Sequence, residues 1–118
     1  MMFGKRRIAG WENRLDLEVD KLRNASTYRE LTLNRIKDLV GAPNDAELLR
    51  ALAKRVSEGN LNVVYRVISP WTKASLATFK SPLDVPEEML DESTGEMVDI
   101  DRFRNVEAVY VSEVVGAE

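Results

Sequence analysis

Eight carboxylates fall within the eighteen residues from Asp84 to Asp101, DVPEEMLDESTGEMVDID, and no Lys or Arg is among them. Such a stretch suggests three kinds of chemistry: proton transfer between paired carboxylates, coordination of a hard cation, or attraction of a basic partner. The pairs nearest in sequence are Glu87 with Glu88 and Asp99 with Asp101. Acid–base work needs burial to move a carboxyl toward neutrality, and a segment this polar predicts exposure, so the pairs read as surface charges. A calcium loop spaces its oxygen ligands regularly and closes on a distal Glu. Asp91, Ser93, Gly95 and Glu96 do not keep that spacing. What remains is a solvated, solubilising loop or a docking surface for a basic partner, which includes the basic helices of a second copy.

The rest of the composition narrows the chemistry further. The 118 residues include neither His nor Cys, which excludes zinc held by those ligands, disulfides, and Ser-His-Asp or Cys-His catalysis. The expectation is a protein that is not an enzyme and that holds no metal and no cofactor. A hydrophobic fraction of 44% and a charged fraction of 31% are those of an ordinary globular domain. No apolar run reaches the length of a membrane span. The opening MMFGKRRIAGW has a basic cluster without the apolar core of a signal peptide, so the expected location is the cytoplasm.

These residues need elements to position them. Trp11, Leu15, Val19 and Leu22 recur at spacings of four, four and three, which predicts a helix over about 11–25, preceded by a basic N-terminal arm over 1–10. Thr27 and Glu30 stand at capping-box spacing and predict a second helix over 27–40, stopped by Gly41. Asn44 and Glu47 open a third, over 44–58, with Leu48, Leu49, Leu52 and Val56 as its stripe and Gly59 at its end. The period then changes from helical to two. LNVVYRVI predicts a strand over 61–68, SLATF another over 75–79, and NVEAVYV a closing strand over 106–112. Within the acidic stretch VPEEML reads as one helical turn, STGE as a turn and EMVDI as a short strand. A single α+β domain over 11–115 follows, three helices and then a small antiparallel β-sheet, with 116–118 as a tail.

The junction AELLRALAKRVSEGNLNVVYRV, a helix ending at SEG and passing at once into a strand, resembles the third helix and first wing strand of a winged helix-turn-helix domain. Element order extends the resemblance over about residues 12–112. It implies a fold in which the acidic stretch is a long wing, and a DNA-binding role for the third helix with support from the wing. The residues argue against that role. Residues 1–80 carry a net charge of +6 and residues 81–118 a net charge of −9, so an acidic wing would repel the phosphates it ought to embrace. In the third helix Arg50, Lys54 and Arg55 are balanced by Asp45, Glu47 and Glu58.

The apolar residues of the acidic stretch are too many for a disordered tail. They predict a loop folded back on the domain, with Leu83, Leu90, Ile100 and Phe103 buried. Trp71, close to a strand end, is either a partly buried packing residue or an aromatic anchor at an interface. The favoured function is a protein-binding adaptor or self-associating module. Its binding surface would be Trp71, Lys73, Asp84, Glu87, Glu88, Asp91 and Glu92, and its partner a protein with a basic surface or a second copy. The alternative is a nucleic-acid-binding regulator that uses Arg50, Lys54 and Arg55, with Lys5, Arg6 and Arg7 as a flexible arm.

Overall fold

A computed structural model of the protein describes residues 2–112, with side chains from residue 10 onward. Helix α1 spans Met2–Arg23. Its stripe of Trp11, Leu15, Val19 and Leu22 is buried in the main core, as the spacing predicts. The helix starts well before residue 11, so the segment expected to be an arm continues the helix instead. No proline interrupts residues 2–10, and Lys and Arg are good helix formers. The side chains of Lys5, Arg6 and Arg7 lie outside the described residues, as does the tail at 116–118.

The second helix departs from the expectation. Strand β1, Glu30–Thr32, occupies part of the span the capping box predicts as helix, and α2 runs from Leu33 to Val40. The cap is Thr32, whose hydroxyl accepts from the Arg35 backbone N–H at 3.2 Å, not Thr27. The reason is tertiary. Leu31 is buried, and the backbone of β1 pairs with the last strand, so the earlier capping signal loses to sheet formation. Gly41 ends α2 at φ 70, in the left-handed region where glycine has no Cβ to clash. Helix α3, Asp45–Ser57, opens as expected: Asn44 Oδ1 accepts from the Glu47 N–H at 2.9 Å.

The remaining strands are β2 (Asn62–Ile68), β3 (Ser75–Phe79), β4 (Glu88–Asp91), β5 (Glu96–Asp99) and β6 (Val106–Val111). Four of the strands form one antiparallel sheet in the order β1-β6-β2-β3. The strand between the first two helices therefore joins the last strand, which in turn joins the strand after α3. The fold is α+β, three helices and an antiparallel sheet, and this order is compatible with a winged-helix-like arrangement. Tyr110 of β6 faces the helical core, where burial, aided by Tyr65, pushes its phenol up to about 12.

The acidic stretch is a folded second layer. β4 and β5 form their own two-stranded ribbon. Val85, Val98 and Ile100 pack with Val67 of β2 in a separate small core, flanked by Leu76, Phe79 and Met89. The helical turn expected at VPEEML falls earlier, as a 3-10 turn at Pro82–Asp84, and Glu88 onward is strand. Of the four residues expected to be buried, only Ile100 is. Leu83 is 86% exposed and Phe103 is 97% exposed, while Leu90 is also on the outside. Leu83 lies within the 3-10 turn, and Phe103 sits on a turn closed by Asp101 and Asn105. Leu90 stands opposite Met97, while Met89 stands opposite the buried Val98, so the ribbon turns Leu90 outward. Among the described residues no helix is long and apolar enough to cross a membrane.

Candidate interaction surface on the acidic wing

The β2–β3 turn is built around the buried Ser69. Its hydroxyl accepts from the N–H groups of Trp71 and Thr72 at 3.3 and 3.2 Å, and its carbonyl accepts from the Lys73 N–H at 3.0 Å. Lys73 takes φ 65, unusual for a residue with a side chain. Its ammonium donates to the Pro70 carbonyl at 3.3 Å, which holds it on the turn. The outcome is a hydrogen-bonded loop that leaves Trp71 77% exposed. Trp71 is thus not a packing residue but an aromatic side chain presented to solvent.

Asp91 ties that loop to the ribbon. It is only 1% exposed. Its Oδ1 accepts from the Ser93 hydroxyl at 2.6 Å and the Ser93 N–H at 3.0 Å, and its Oδ2 accepts from the Thr72 hydroxyl at 3.5 Å. The Ser93 hydroxyl holds the Asp91 carboxyl below its ordinary value of 3.8; burial opposes this, and Ser69, the Ser93 backbone and Thr72 reinforce it. Asp91, expected among the docking charges, is instead a positioning residue inside the wing. A buried carboxylate is stable only when its oxygens are hydrogen-bonded, and the DEST sequence supplies the donors locally.

The other wing carboxylates expected to act are on the surface: Asp84, Glu87, Glu88 and Glu92 are all exposed, as is Asp99. None of these five forms an ion pair among the described residues. Two of the four cross-strand pairs of the ribbon set acid against acid, Glu88 opposite Asp99 and Asp91 opposite Glu96. Like charges directly opposite weaken a ladder. Between β3 and β4 lies a groove of about 480 Å³, whose lining includes Ser75, Leu76, Glu88, Met89, Leu90 and Glu92. Among the described residues no basic side chain lines it.

The cations of α3 are arranged differently. Arg55 Nη2 meets Asp16 Oδ1 of α1 at 2.6 Å, and its Nη1 donates to the Ala51 carbonyl at 2.9 Å. This leaves Arg50 and Lys54 exposed beside a cleft shared with α1. An exposed ion pair contributes about 0–1 kcal/mol, less than the roughly 1.5–3 kcal/mol of a fully buried Leu such as Leu52. The core holds α3 on α1, and the ion pair fixes where Arg55 points. On the outer face of the sheet, Arg66 pairs with Glu30 and, at 3.6 Å, with Glu107.

Sequence reasoning missed Ser69, Thr72 and Ser93 as supports of the wing, although SPWT and DEST are both local turn signals. Among the described residues no group of three or more His, Cys, Asp or Glu side chains could hold a metal ion. The chain matches no protein-family model, no curated protein and no solved structure.

Proposed function

We propose that the protein is a cytoplasmic, non-enzymatic interaction module of winged-helix type that binds a protein partner with a basic surface through its acidic wing. The single observation that carries this reading is the exposed pair Glu88 and Asp99, acid facing acid across the β4–β5 ribbon, on a wing whose neighbouring loop exposes Trp71. Solubility alone does not require like charges to face each other at a cost to the fold, whereas a basic partner would neutralise them. Trp71 supplies the kind of rigid aromatic area that dominates binding energy at interfaces. Opposite charge on the first eighty residues and on the wing makes a second copy the other candidate partner.

Nucleic-acid binding has less support. Of the three α3 cations, Arg55 is committed to Asp16, and Arg50 and Lys54 remain against Glu47 and Glu58, Asp45 being paired with Lys37 at 2.8 Å. Light scattering of the purified protein, alone and with a mixed-sequence DNA duplex at about 0.15 M salt, separates the readings. The expected outcome is no DNA-bound peak. A DNA peak abolished by Arg50→Glu with Lys54→Glu would sink the adaptor reading. With a protein partner in hand, Glu87→Lys, Glu88→Lys and Glu92→Lys together should abolish binding and leave the fold intact. Asp91 is left out of that set because it supports the wing.

A further inference from the structure

The outer face of the β4–β5 ribbon has a definite pattern. Residues directly opposite share a face, and so do residues two apart along a strand. Leu90 and Met97 are therefore an apolar pair on the outer face, and Glu88 and Asp99 are an acidic pair on that same face, one step along. All four are exposed. Their inner-face counterparts, Met89 and Val98, serve the small core. Among the described residues no element covers the outer pairs, and the groove between β3 and β4 opens alongside them.

Resting on the reading of the wing as a docking surface, we propose that this face is a receptor for an arginine of the partner. The aliphatic stem of the arginine lies across Leu90 and Met97, and its guanidinium bridges the Glu88 and Asp99 carboxylates. Geometry and charge both favour this occupant. Two residues of strand, roughly 7 Å, separate the apolar pair from the acidic pair, a span suited to a three-methylene stem that packs on apolar surface while its head stays polar. Opposite side chains in such a ladder have Cβ atoms about 5 Å apart, so a planar fork with five donors can reach both carboxylates. Lysine, a point charge, satisfies them less well. The arginine also relieves the Glu88–Asp99 repulsion, which gives the acid-on-acid pairing a purpose.

The probe is a short acetylated peptide centred on Arg-Leu-Arg, with a counterpart in which citrulline replaces both arginines and so keeps the shape without the charge. Nitrogen-15 spectra of the full chain should show shifts centred on Glu88, Leu90, Met97 and Asp99. The citrulline peptide should bind at least about tenfold more weakly. Glu88→Gln with Asp99→Asn should abolish binding while raising thermal stability, which rules out unfolding as the cause. Glu96→Gln, on the inner-face series of the same ribbon, should leave binding nearly unchanged. Equal losses from Glu96→Gln and Glu88→Gln would overturn the receptor and leave a diffuse acidic attraction, so the wing reading survives. Shifts that centre on another face, or no binding at millimolar peptide, would also overturn it. A dimer of the free protein that Glu88→Gln dissociates would identify a second copy as the occupant and overturn a separate partner.

Discussion

Glu88 stands directly across the β4–β5 ladder from Asp99, with both carboxylates exposed and no cation paired with either among the described residues. Opposite charges at such positions contribute about 0.2–1 kcal/mol, whereas like charges directly opposite destabilise the ladder. Glu88→Lys should therefore stabilise the ribbon by an amount of that order, seen as a higher melting temperature at low salt. The same change should weaken partner binding. A variant that gains stability without losing binding would remove the ribbon from the interface.

Asp91 predicts how the wing responds to acid. Its folded carboxyl lies below the ordinary 3.8, so its stabilising contribution is complete above that value. The contribution is lost as pH falls through the lowered folded value, because protonation removes an acceptor from Ser93 and Thr72. Thermal unfolding followed from neutral pH to about pH 3 should show this acid limb, and Asp91→Asn should flatten it. An unchanged limb in the variant would assign the acid sensitivity to other carboxyls.

Two threonines five residues apart should behave differently. Thr32→Ala removes the hydroxyl that caps α2 and should cost about 1 kcal/mol. Thr27→Ala should be near neutral, since Thr27 is exposed and caps no helix. Denaturant midpoints of the two variants check this, and equal costs would place a helix cap at Thr27 as well.

Burial ranks Leu52 and Phe103 at opposite ends. Leu52→Ala leaves a cavity in the helical core and should cost about 2–5 kcal/mol. Phe103→Ala should change stability by less than about 0.5 kcal/mol, as surface substitutions do. Chemical denaturation of both variants decides it.

By itself the sequence determined the periodic part of this protein. The four-four-three spacing of Trp11, Leu15, Val19 and Leu22 specifies one buried helical face wherever the helix packs. Asn44 and Gly41 act on their own neighbours, and the alternation in β2 and β6 needs no partner to be seen. The charge division between residues 1–80 and 81–118 was equally plain. Only the tertiary structure decided the rest, because it depends on pairing between residues distant in sequence. β1 exists because β6, at the far end of the chain, accepts its backbone, with Glu30 opposite Val111 and Thr32 opposite Val109. Which of Met89 and Leu90 turns inward was set by where Val67 lies beneath the ribbon, since alternation fixes two faces without saying which one is covered. Asp91 looked like its acidic neighbours until Thr72 and Ser93 closed on it. One carboxylate of that stretch holds the wing in place, and its exposed neighbours Glu88 and Asp99 are set facing each other across a ladder.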